Sequence, residues 1–311
     1  MATKAPKEPY THEDQLQKLI SRGCVIDDQN EAIDLLKKTN YYRLTAYFLP
    51  FKNHEGHYKE GTNLYSIFKI HEFDRELGHL LFGAVMPIEL RLRTQVSYHH
   101  AHKYGALGYT DHLNFNSMHK HKKFMDNVKK NVKWGGRQLF VRHHNELYGG
   151  EFPLWVVIEL FSLGELSLFY SDMKTADKKA VSRLYGTTHT NLSSWLWCLT
   201  ILRNYCAHYS RLYYNSFPTV PATPKDFLYT MRKMVFDYIL TLKFLYHGDE
   251  EQFAVFRAKL EVLLEEYGEY ISLPHIGFPA NWSKLLNLAP STYTPAPTQA
   301  RSVGAPANLT K

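Results

Sequence analysis

The sequence predicts an all-α protein, and three observations carry that expectation. Across residues 63–104 the apolar side chains Leu64, Ile67 and Phe68, then Phe73, Leu77, Leu80 and Leu81, then Ile88, Leu92 and Val96 recur at helical spacing rather than in strand alternation. The most apolar stretch, residues 152–170, is broken by Glu159, Gly164 and Glu165. A membrane span needs roughly 20 predominantly apolar residues, so this stretch reads as a buried helix. A third apolar run, Trp195, Leu196, Leu199 and Leu202, follows Asn191, Ser193 and Ser194, any of which can cap a helix.

Taken in order, residues 1–10 form a flexible arm and residues 11–60 a mainly helical N-terminal region. Thr11 precedes Glu13 and Asp14 as cap and acidic first turn, and Gly23 ends that helix. A second helix starts near Asp27 or Asp28, shows Ala32, Ile33, Leu35 and Leu36 on one face and closes on Lys37 and Lys38. The aromatic stretch Tyr41, Tyr42, Tyr47, Phe48 and Phe51 fits a short helix or a strand. Residues 61–289 make the main helical domain, in which Pro87 marks a kink or a boundary between two helices. A short helix near residues 176–185 stops at Gly186. Pro218, Pro221 and Pro224 stiffen a connector to helices at 225–246 and 250–267, and the Pro/Thr/Ala-rich residues 290–311 are expected to be disordered.

Composition narrows the functional classes. A chain of 311 residues with 44% hydrophobic and 14% aromatic content excludes global disorder and allows one large domain or two smaller ones. The N-terminus lacks an apolar segment with a small-residue cleavage site, so a cytoplasmic protein with no membrane partner is expected. Cys24, Cys198 and Cys206 form no C-x-x-C pair, which points to reduced, buried thiols. A net charge of +7 suits a polyanionic partner. Lys122, Lys123, Lys129 and Lys130 lie in a basic segment that either tracks phosphates or forms a solvated helix face.

Chemistry concentrates at Arg203-Asn204-Tyr205-Cys206-Ala207-His208. Arginine holds a phosphate bidentately and stabilises developing charge, while an imidazole transfers protons near neutral pH. On an ideal helix Asn204 and His208 share a face, but Arg203 and His208 differ by roughly 140°. The pair therefore needs a helix end, the reach of arginine, or a second chain to converge.

The segment LTILRNYCAHYSRLYY resembles the HEPN motif, in which Arg, a polar residue and three variable residues lead to His. NYYRLTAYFLPF at 40–51, FDRELGHLLFGAVMPIELRLRTQVSYHHAHKYG at 73–105, FPLWVVIELFSLGELSLFY at 152–170 and GFPANW at 277–282 resemble successive blocks of the Abi family. These are abortive-infection proteins of the AbiD and AbiF type. The resemblance covers most of residues 13–286 and implies a HEPN-like helical bundle, one domain or two helical halves, acting in phage defence as a metal-independent endoribonuclease with no cofactor. It implies His208 as general acid or base, Arg203 as the group that stabilises the phosphorane and Asn204 as the residue that orients His208 or the phosphate, with Arg211 as a further phosphate contact. RNA is the implied substrate, some relatives suggest a regulatory noncoding RNA, and HEPN nucleases commonly pair two motifs across a homodimer. The alternative is a noncatalytic HEPN protein that binds RNA or a protein partner.

A second spacing match, Arg93 to His99, invites a composite site within one chain. Glu89 and Arg93 stand one helical turn apart, so a structural ion pair is the competing expectation. The paired histidines, His119 with His121 and His143 with His144, lack the H-E-x-x-H or Cys/His pattern of a zinc site.

Overall fold

The computed structural model describes residues 8–225 and 227–287. The expected tail at 290–311 and most of the arm at 1–10 lie outside these residues. Among the described residues the architecture is all-α, and strand-like pairing is confined to three isolated bridges, Val25 with Asn63, Lys52 with Tyr58 and Phe115 with Met173.

Helix α1 (His12–Ile20) is opened by a capping box between Thr11 and Asp14, and the chain leaves it through Gly23 at φ +86°. Asp28 caps α2 (Gln29–Lys38) by accepting from Asn30 and Glu31 N–H. The aromatic stretch resolves as a short helix, α3 (Tyr41–Thr45), and a 3-10 turn at Leu49–Phe51.

Helix α4 (Leu64–Tyr104) runs unbroken for 41 residues. Pro87 sits inside it, so of the two alternatives, a kink or a boundary, the boundary is not formed. The proline removes the N–H that Gly83 O would have used. Packing holds the helix through this weak point, with the Tyr246 hydroxyl donating to Ala84 O at 2.8 Å.

A basic lobe follows, α5 (His121–Trp134) and α6 (Leu139–Leu147). The apolar stretch 152–170, expected as one buried helix, is instead split into α7 (Leu154–Val157), a 3-10 turn at Ile158–Leu160 and α8 (Leu163–Asp172). Ser162 and Glu165 close a capping box at the break, which ends one helix and starts another at the cost of leaving carbonyls unpaired. Those carbonyls find their donor in α4, as described below.

The chain continues through α9 (Thr175–Arg183), α10 (His189–Ala207), α11 (Val235–Leu245), α12 (Glu250–Glu266) and α13 (Trp282–Asn287). The expected helix from 225 starts only at Val235. Every residue of α11 is buried, and α10 packs against α4, α8, α9 and α11 around the core. No described helix is long and apolar enough to cross a membrane.

One buried polar residue in this core sets a pH limit. His100 is fully buried among the rings of Tyr104, Phe115 and Phe169, with neither ring nitrogen hydrogen-bonded. Burial pushes its pKa down to about 4. Between the ordinary imidazole value and that limit, the unfolded chain takes up a proton that the folded chain refuses, so stability is lost as pH falls through this window. His100→Leu keeps the apolar volume and removes the unpaired nitrogens. It is expected to lower the melting temperature less than wild type does between pH 7 and pH 5, as scanning calorimetry at both values can measure.

Candidate active site at the end of helix α10

Helix α10 begins at Thr188, whose hydroxyl accepts from Asn191 N–H at 3.2 Å, several residues before the caps expected from sequence. Its buried face carries Leu192, Trp195, Leu196, Leu199, Leu202 and Cys206. Because that face is committed to the core, the residues between its apolar positions face outward. Arg203 is half-buried, and Asn204 and His208 are exposed. The Arg203 guanidinium donates to Asn204 Oδ1 at 3.4 Å and lies 5.9 Å from the centre of the Phe82 ring of α4. His208 ends the helix, its N–H donating to Asn204 O at 3.0 Å. The helix end that the angular mismatch of Arg203 and His208 calls for is therefore present.

The chain after His208 is tightly fixed. Tyr209 adopts φ +51°, a left-handed conformation that costs energy for a residue with a bulky side chain. Its carbonyl accepts from Arg43 Nη1 at 2.6 Å. The next residues lie against α4, where Leu212 and Tyr213 N–H donate to the carboxylate of Asp74 at 3.0 and 2.7 Å. The Tyr47 hydroxyl donates to the same carboxylate at 2.6 Å. Burial pushes the Asp74 carboxyl up to about 6, against the opposing pull of these donors, so near neutral pH it is an anion surrounded by N–H and O–H groups. Asp74 and Arg43 thereby fix the turn that presents His208. Sequence reasoning singled out neither residue, although both lie within the quoted blocks NYYRLTAYFLPF and FDRELGHLLF.

The second Arg/His pair does not join this site. Arg93 is 7% exposed, and its guanidinium bonds Glu89 together with the carbonyls of Ile158 and Phe161. Both carbonyls lie where the 152–170 stretch breaks, and Ile158 O also accepts from Phe161 N–H, so Arg93 closes that break. It stands eleven residues beyond Phe82 on α4, about 16 Å along a regular helix axis. His99 lies farther along, 3.0 Å from the Asp177 carboxylate that Lys103 and Tyr104 also engage. The expected intrachain composite pocket is not formed: the physical reason is that the guanidinium is occupied by helix-break carbonyls.

Arg211 is likewise tied to the fold, donating to Ala46 O and lying 6.0 Å from the Tyr47 ring. Lys122, Lys123, Lys129 and Lys130 are all exposed on α5, with Lys130 Nζ 4.3 Å from the ring of Trp134, itself 72% exposed. A cation beside an exposed indole suits a strand of unpaired bases. His119 bonds Asp172 at 2.8 Å and His121 bonds Thr110 O at 2.9 Å. Among the described residues no group of three or more His, Cys, Asp or Glu side chains is arranged to hold a metal ion.

Fold and site together define an all-helical protein that presents an Arg/Asn/His cluster to solvent from the fixed end of one core helix. The chain belongs to the Abi-like protein family, whose model matches residues 34–214. That span includes Arg43, Asp74, the whole of α4 and the Arg203–His208 motif. Membership associates the chain with abortive infection, the defence of bacteria against phage. No curated protein and no solved structure matches the chain.

Proposed function

We propose that the protein is a metal-independent endoribonuclease of abortive infection, with Arg203, Asn204 and His208 as its reacting cluster. The observation that carries this reading is the contrast between the two Arg/His pairs. Arg93 is occupied in holding the fold, whereas Arg203 and His208 contribute little to packing yet stand at the helix end and turn that four long-range hydrogen bonds, made by Tyr209, Arg211, Leu212 and Tyr213, immobilise. Fixing an exposed imidazole and a half-buried guanidinium in this way favours positioned proton transfer and charge stabilisation over mere solubility.

The reaction fits those groups. The RNA 2′-oxygen attacks the adjacent phosphorus, its proton passes to a base, and the P–O5′ bond breaks as that oxygen takes up a proton. A 2′,3′-cyclic phosphate and a 5′-hydroxyl result. Arg203 stabilises the charge that builds on the non-bridging oxygens, and Asn204 holds the Arg203 guanidinium. Two protons move, and the motif supplies one imidazole per chain. A symmetric dimer that faces two copies of Arg203 and His208 supplies the second, and the exposed lysines of α5 hold the rest of the RNA.

Purified protein incubated with mixed RNA tests this directly. Products should carry 2′,3′-cyclic phosphate and 5′-hydroxyl ends, EDTA should leave the rate unchanged, and a 2′-deoxy nucleotide at the scissile position should block cutting. Binding of RNA without any cutting, under conditions where the protein is folded, would instead favour the noncatalytic alternative.

A further inference from the structure

Beside the α10 turn lies a cavity of ≈ 620 Å³, walled by α2, α3, the first half of α4 and the residues just after His208. We propose that this cavity is a nucleotide subsite that takes one unpaired nucleotide of the RNA flanking the scissile phosphate. The inference rests on the endoribonuclease reading for its substrate, but the site itself is built from different residues.

Position is the first argument. Tyr209 and Ser210, immediately after His208, line the cavity, and the His79 ring meets the Tyr209 ring edge-on at 6.0 Å. His79 precedes Phe82, against which Arg203 rests, by one turn of α4. A strand whose phosphate lies at Arg203 and His208 therefore passes the mouth of the cavity within one nucleotide.

Chemistry is the second argument. Of the cations lining the cavity, Lys69 and Arg75 are neutralised by Glu72 and Glu76; exposed Lys38 has no carboxylate partner among the described residues, and neither has exposed Arg43. Its one hydrogen bond goes from Nη1 to Tyr209 O, which leaves donors in the guanidinium fork for a phosphate. His79, 3.8 Å from Glu76, is the second group at that mouth. Of the acids on the wall, Glu72 is paired and Asp74 is enclosed by its own donors, which leaves Glu31 as the unpaired carboxylate, on the α2 side. On the wall, exposed Tyr65 and half-buried Phe68 offer aromatic faces for a base. His71 Nδ1 is buried there without a hydrogen-bond partner. An unpaired buried nitrogen is costly, and the edge of a base would satisfy it. Phosphate-binding groups at the mouth, aromatic faces on the wall and a polar atom at the bottom match a nucleotide better than a bare anion or an apolar ligand.

Titration of the full-length protein with the four nucleoside 5′-monophosphates and with inorganic phosphate, followed by calorimetry, tests the subsite without requiring cleavage. At least one nucleotide should bind roughly tenfold or more tightly than phosphate, and Arg43→Ala and His71→Leu should each weaken it by about tenfold, the effect of losing one strong hydrogen bond. Circular dichroism should show both variants folded. If His71→Leu fails to fold, His71→Gln replaces it. In cleavage assays the same variants should change which base flanks the cut while the end chemistry stays the same. No nucleotide binding up to about 5 mM, or affinity equal to that of phosphate, overturns the subsite. Nucleotide binding that depends on Arg43 in a protein that never cuts RNA overturns the endoribonuclease reading and leaves the subsite standing.

Discussion

Arg203→Ala and His208→Ala are each expected to lower the rate of RNA cleavage by about 10² to 10⁴-fold, the range for losing a general acid–base group or a charge-stabilising donor. Neither change should shift the melting temperature by more than about 2 °C, because surface substitutions away from special features stay within ~0.5 kcal/mol. Structure supports that separation. The interactions of Arg203 are one long hydrogen bond to its neighbour Asn204 and a distant ring contact, and the His208 side chain is exposed. A dimer-shared site adds a further consequence. Mixing wild-type chains with inactive His208→Ala chains should lower the activity per wild-type chain, since a mixed dimer holds one imidazole where the reaction uses two. Retained cutting in both single variants would remove the motif from the mechanism. Wild-type chains that keep their full activity in the mixture would place a whole site in one chain.

The sequence made the local elements legible and hid those that depend on distant partners. Thr11 with Asp14, and Asp28 with Glu31, announce their helices because a cap and the N–H it serves lie within three residues. The break at Ser162 also carries a capping box, yet the apolar residues on both sides mask it. Nothing within the stretch shows that an arginine 68 positions earlier accepts the task of pairing Phe161 O. The same contrast divides the site. Arg203, Asn204 and His208 fall within six consecutive positions and could be recognised as a pattern. Arg43 and Asp74 acquire their roles across 166 and 138 residues, through bonds to Tyr209 and Leu212 that only the folded chain brings about. Pairing of Arg93 with His99 by spacing misled for the reverse reason. Spacing places two residues on one helix but cannot say which of them is already engaged, and the competing Glu89 pair is the one that formed.

Arg93→Ala is expected to destabilise the protein by about 3–5 kcal/mol, the usual result of breaking a buried ion pair from one side. The Glu89 carboxylate and the Phe161 carbonyl lose their donor together, and the Ile158 carbonyl keeps only the Phe161 N–H. The two carbonyls belong to the break between α7 and α8, which has no room to repair itself because Leu154, Val157, Ile158 and Phe161 are buried. In a folded region of this size the melting temperature should fall by about 10 °C. Arg93→Lys should recover little of the loss, since a single ammonium cannot reproduce the guanidinium fork that meets a carboxylate and two carbonyls at once. Cleavage per folded molecule, measured at low temperature, should stay close to wild type, the opposite of the Arg203→Ala result. A variant that melts normally but no longer cuts RNA would return Arg93 to the chemistry and require a rearrangement that frees its guanidinium from α7 and α8.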